Sequence, residues 1–123
     1  MDLSKGAAGP LVFKGHLASA LLYPDRVEFK RRWVARLGGN RSGVVLLPDV
    51  LKVLRQDPTR FVNGYVHLLT AADGGRLRAA ASDPVKAVAG NPRAIMFTWN
   101  QRDTFAKFVA AVEEALQRQR PQL

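Results

Sequence analysis

The stretch that decides the fold is RAIMFTWNQRDTFAKFVAAVEEAL, residues 93–116, because the spacing of its apolar side chains changes partway along. From Arg93 to Trp99, Ile95, Phe97 and Trp99 alternate with their neighbours, the two-residue repeat of a strand. Beyond it, Phe105, Phe108, Val109, Val112 and Leu116 stand at i, i+3, i+4, i+7 and i+11, which lines one face of an α-helix. Asn100 is a suitable N-cap, and Asp103 puts negative charge in the first turn, where it meets the positive end of the helix dipole. Arg118 and Arg120 suit the other end, and Pro121 follows the stop. A helix with one apolar stripe has to cover something. What precedes it reads as strands, so the expectation is a mainly β body closed by one C-terminal helix.

Upstream, short apolar runs are separated by turn signals at fairly regular spacing, as in an all-β body. Tyr23-Pro24-Asp25-Arg26 predicts a tight turn, since proline fixes φ and aspartate accepts local backbone hydrogen bonds. Ser19 to Leu22 precede it. After it, Val27, Phe29, Trp33, Ala35 and Leu37 alternate with Glu28, Lys30, Arg32 and Arg36. Arg31 falls on the apolar side of that alternation, and a β-bulge near it would reset the facing. Gly38 to Gly43 reads as a loop, Val44 to Leu47 as an apolar strand ended by Pro48, and Val50 and Val53 as one helical turn before a short strand. After a turn at Asp57-Pro58-Thr59, Phe61 to Thr70 reads as a long strand. Phe61, Tyr65 and Leu69 then share one face, and Val62, Val66 and Leu68 the other. Gly64 in its middle marks a bulge, or a bulky group lying over bare backbone. Asp73-Gly74-Gly75 predicts a hairpin returning through Arg76 to Ala81, with a loop from Ser82 to Pro92.

At 123 residues the chain has room for one core. The reading is a flexible segment over residues 1–9, one domain over 10–120 and a short tail over 121–123. Cysteine is absent, which excludes a disulfide framework, thiol catalysis and a cysteine-based zinc site, and fits a reducing cytoplasm. Met1 to Pro10 lack the apolar segment of a secretory signal, and no stretch approaches the roughly 18 apolar residues of a spanning helix. The formal net charge of +9 favours acidic partners: a protein, an anionic lipid surface or nucleic acid.

Catalytic chemistry finds no foothold. The two histidines, His16 and His67, lack the close spacing of metal ligands. The acidic residues stand singly, apart from Glu113-Glu114 on the solvent side of the helix, so no carboxylate pair is poised for acid–base work. Gly38 to Gly43 resembles a phosphate loop only faintly, because Val44-Val45 follow where a Walker loop requires Lys-Ser/Thr and a helix. The expectation is a non-enzyme with no cofactor and no metal.

In order and spacing these segments resemble bacterial pleckstrin-homology-like (PH-like) domains, including short ones from actinobacteria. The resemblance is carried by the strand pair near the N-terminus, Pro48-Asp49-Val50-x-x-Val53, Asn63-Gly64-Tyr65-Val66, and Ala94 to Gln101 leading into the Phe105/Phe108 helix. It covers roughly Leu11 to Gln119 and implies two near-orthogonal antiparallel sheets, or a barrel, with the helix plugging one open corner. The Arg- and Ala-rich usage suggests an actinobacterium or one of its phages, and a phage origin would make the target a host protein.

PH domains that bind phosphoinositides carry cations in the first hairpin. The matching positions here are Lys30, Arg31 and Arg32, with Lys14 before them and Arg36 and Arg41 beyond. The Tyr23–Arg26 turn is short and poor in lysine, so the loop that would cradle a phosphate is missing, and a solvated strand face that discourages edge pairing explains the same charges. The leading expectation is therefore a cytoplasmic module that binds a protein partner by strand addition, with Val44 to Leu47 or Arg76 to Ala81 as the edge. Electrostatic docking at an anionic membrane surface through those six cations is the alternative. Nucleic acid comes third, held by charge alone, because Trp33, Phe97 and Trp99 all read as core.

Overall fold

The computed structural model describes residues 9–31, 43–73 and 92–119. Within them the chain makes two antiparallel sheets and one long C-terminal helix, the arrangement that the change of period requires. The first sheet has four strands in sequence order: β1 (Leu11–Gly15), β2 (Ala18–Leu22), β3 (Arg26–Arg31) and β4 (Gly43–Leu46). The second has three: β5 (Lys52–Gln56), β6 (Gly64–Leu69) and β7 (Ala94–Phe97). The helix, α1, spans Arg102–Gln119.

The predicted turn at Tyr23–Arg26 closes with Tyr23 N–H donating to the Arg26 carbonyl at 2.8 Å, and it sets β2 against β3. Unread in the sequence was the hairpin before it. Gly15 pairs with Ala18, so His16 and Leu17 form a two-residue loop, and Leu17 adopts a left-handed φ of 57°. Glycine at position 15 has a packing reason. A Cβ there would stand 2.5 Å from the Met96 carbonyl, and His16 N–H donates to that same carbonyl at 2.7 Å. The β1–β2 corner is thereby fixed to β7, joining the two sheets.

Each inner face alternates as the period-2 pattern demands. Phe13, Ala20, Leu22, Val27, Phe29 and Val45 point inward from the first sheet, and Val66, Leu68, Ile95 and Phe97 from the second. All five residues of the predicted helical stripe are buried against them. Phe108 sits at the centre, its ring 5.1 Å from Phe13, 6.4 Å from Phe29 and 6.0 Å from Phe97. One helical side chain thus touches both sheets. Strand β7 is buried on both sides, because Ala94 and Met96 pack with Tyr65 away from the main core.

Several expectations are corrected. Through Arg31 the register of β2 with β3 runs unbroken, so Arg31 itself takes the inward position without a bulge there. The short helical turn lies at Leu47–Asp49, with Pro48 in its first residues, and Val53 belongs to a strand. Strand β6 starts only at Gly64, which leaves Phe61 to Asn63 in a loop. Gly64 accommodates Pro58, whose ring lies against the bare backbone as one of the two sequence readings has it. Asn100 does not cap the helix. A 3₁₀ turn over Trp99–Gln101 precedes α1, and Thr98 begins it, its N–H donating to Gln101 Oε1 at 3.0 Å. Trp33, the Gly38–Ser42 loop, the Arg76–Ala81 strand and the Ser82–Gly90 loop lie outside the described residues.

Candidate interaction surfaces

Of the six candidate cations the structure describes three, Lys14, Lys30 and Arg31, and it parts them. Lys14 and Lys30 are exposed and share one row of the outer face, each opposite Ser19 in its own pairing. Arg31 points the other way. It is only 7% exposed, and its Nη2 donates to the Ala94 carbonyl at 2.7 Å, tying the end of β3 to the start of β7. Loss of hydration on burial pulls this guanidinium below its ordinary pKa. A side chain so placed bridges the sheets and lies on the opposite face from Lys14 and Lys30. Arg32, Arg36 and Arg41 lie outside the described residues.

At the turn itself the charge is already matched. Arg26 Nε donates to Glu28 at 2.8 Å, Arg26 Nη1 donates to Asp25 at 2.9 Å, and the guanidinium stacks 3.9 Å from the Tyr23 ring centre. Its pKa is raised, first by the Glu28 hydrogen bond and then by Asp25. Two carboxylates beside the turn would repel a phosphate. Across the outer face Val12, Leu21, Glu28 and Val44 lie in register, so the Glu28 carboxylate stands between Leu21 and Val44, the latter 58% exposed.

A second surface lies where β5 meets the helix. A cleft of about 350 Å³, open to solvent, is lined by Val50, Val53 and Leu116 with Lys52, Glu113 and Gln117 around them. Chain direction explains this mixture. Val50 follows the 3₁₀ turn and is buried, Val53 packs on the core, and Leu116 ends the helical stripe. The cation and the carboxylate come from the solvent sides of the strand and the helix. Beside the cleft runs a strand edge that no described strand pairs with. Leu68 N–H donates to the Arg93 carbonyl, which turns the backbone of Gly64, Val66 and Leu68 toward β7 and that of Tyr65, His67 and Leu69 toward β5. Lys52, Leu54 and Gln56 face these partners, so the amides and carbonyls of Val53 and Arg55 point outward. Among the described residues no strand pairs with that side of β5.

A third surface is the loop joining β5 to β6. Thr59 organises it: Phe61 N–H and Val62 N–H donate to its Oγ1 at 3.2 and 3.0 Å, and its own N–H donates to the Val62 carbonyl at 2.9 Å. Phe61 stands 94% exposed at the tip. Trp99 is half-buried nearby, with the guanidiniums of Arg102 at 4.2 Å and Arg60 at 5.6 Å from its ring centre. Phe97 is core as expected, whereas Trp99 is not fully so.

The sequence reading missed both the cleft and the tip. The spacing of Val50 and Val53 predicts a helical turn, and the run from Phe61 to Thr70 puts Phe61 on a strand face. The usable signal for the tip was Thr59, a residue whose hydroxyl commonly closes a turn of this kind on the amides that follow it. Among the described residues no three His, Asp or Glu side chains converge to hold a metal ion, and no helix is long and apolar enough to cross a membrane. No family model matches the chain, nor does any curated protein or solved structure.

Proposed function

We propose that this chain is a non-catalytic interaction module of PH-like architecture that takes up an extended segment of a partner protein along the outer edge of β5. The sheet order, four strands then three, followed by a helix that touches both, supports the architecture. The observation that carries the function is the edge at Val53 and Arg55, unpaired among the described residues, beside a cleft with an apolar floor and a charged rim. Added strands draw affinity from main-chain hydrogen bonds and selectivity from pockets for alternate side chains. Here an apolar side chain of the segment would rest on Val50, Val53 and Leu116, while Lys52 and Glu113 read the charges flanking it. At the small end of ligand-site volumes (~300–1,000 Å³) and open to water, the cleft suits a side chain better than an enclosed small molecule.

The test is site-specific photo-crosslinking in the producing cells, with the reactive group at Lys52 and, as control, at Lys30 on the outer face of the other sheet. A protein captured at Lys52, not at Lys30, and lost in Val53→Asp is the expected result. The module reading fails if Lys52 captures nothing beyond what Lys30 captures. Once a partner segment is in hand, its binding should shift the amide resonances of Val53 and Arg55 more than those of β2.

A further inference from the structure

Strand β5 is charged in one sense only. Its five residues, Lys52 to Gln56, include two cations, Lys52 and Arg55, and no acid, and both cations are exposed. Neither joins an ion pair among the described residues, although Asp57 follows Arg55 by two positions. Arg55 stands opposite Val66, and Val53 opposite Leu68, and both of these partners point into the core. The side chains of Arg55 and Val53 therefore leave the strand on one face, the face that carries the cleft. The same two residues hold the amides and carbonyls that point outward. An added strand would thus meet main-chain bonding, an apolar floor at Val53 and an unmatched guanidinium two residues away. The helix leaves room alongside. Ala106 and Ala110 are exposed and share a face of α1 with Glu113 and Gln117, which line the cleft.

Charge decides between occupants. A second copy of β5 would bring two more cations and no acid to the edge, and the like charges repel. A carboxylate opposite Arg55 gains from the same position, because it accepts from the guanidinium across the ladder. Resting on strand addition at β5, we infer that the partner segment reads acid–x–apolar. Asp or Glu lies opposite Arg55, the next side chain faces away, and an apolar side chain lies opposite Val53 in the cleft. The order follows from antiparallel pairing, the sense of every strand pair in the two sheets. In that sense the earlier residue of the segment meets the later residue of β5. Val53 provides attachment, and Arg55 sets selectivity.

The experiment selects binders from a displayed library of random heptapeptides, against the full chain and separately against Arg55→Glu. Arg55 is exposed, so thermal unfolding of the variant should match the parent. The parent should enrich acid–x–apolar. Arg55→Glu should keep the apolar residue and enrich Lys or Arg in place of the acid. A synthetic copy of the best peptide should shift the amide resonances of Val53 and Arg55. Replacing its acid by the matching amide should weaken binding to the parent about fivefold and leave binding to Arg55→Gln unchanged. Two results overturn the acidic selectivity while leaving strand addition in place. One is a set of peptides that shift those resonances without an acid two residues before the apolar anchor, and the other is the same acid enriched by Arg55→Glu. If no peptide is enriched, or those enriched leave Val53 and Arg55 unshifted, strand addition at β5 falls as well.

Discussion

Truncating Phe108 to alanine tests whether the helix is the lid that holds the two sheets together. The ring is fully buried and touches Phe13 and Phe29 on one sheet and Phe97 on the other. Phe→Ala in a core costs about 3–5 kcal/mol, from lost transfer energy and the cavity left behind. The upper half of that range is expected, because rings anchored in two separate sheets cannot both collapse into the space. Small domains hold about 5–15 kcal/mol in total, so a loss near 4 kcal/mol would bring this one close to its limit. With a urea slope of about 2 kcal/mol/M, the midpoint should fall by about 2 M, read by circular dichroism at the helix band. Phe108→Leu keeps most of the volume and should cost about 1–1.5 kcal/mol. Ala110→Gly, on the exposed side of the same helix, separates docking from helix formation, and should cost about 1 kcal/mol through propensity alone. If Phe108→Ala costs no more than Ala110→Gly, the helix is not holding the sheets and the packing argument fails.

Other perturbations probe the seams. Gly15→Ala should destabilise by about 1–3 kcal/mol in urea denaturation, since the new methyl meets the Met96 carbonyl and pushes the β1–β2 corner off β7; an unchanged midpoint would refute that contact. Arg31→Leu should cost about 1–3 kcal/mol by leaving the Ala94 carbonyl without this donor, while Lys30→Leu next to it stays within about 0.5 kcal/mol. Burial lowers the Arg31 pKa, so the desolvation penalty is constant below its folded value and is relieved only as pH rises through it. The Arg31→Leu cost should therefore be flat across the neutral range, and a change there would point to a different group. Leu17→Asn should raise stability by about 0.5–1 kcal/mol, because asparagine tolerates the left-handed backbone that leucine occupies at φ 57°; a loss would mean the leucine side chain matters more than the strain.

The sequence by itself determined the class of the molecule and the burial of its helix, because both follow from period. Apolar groups two apart must share a strand face, and groups three and four apart must share a helix face, whatever the rest of the chain does. Phe105, Phe108, Val109, Val112 and Leu116 were legible for that reason, and all are buried. The Tyr23–Arg26 turn was legible because proline and aspartate act on their own backbone. What only the tertiary structure decided depends on groups far apart in the chain. Arg31 is read locally as a solvated cation, yet it is drawn inward by a carbonyl 63 residues away. Phe61 is read locally as a strand residue, yet Pro58 packed on Gly64 and the Thr59 turn keep it outside the sheet. The cleft has no local signature at all, since Val50, Val53 and Leu116 become neighbours only when the helix crosses the body. Local pattern fixes which faces are apolar, and long-range packing fixes which of them are left uncovered.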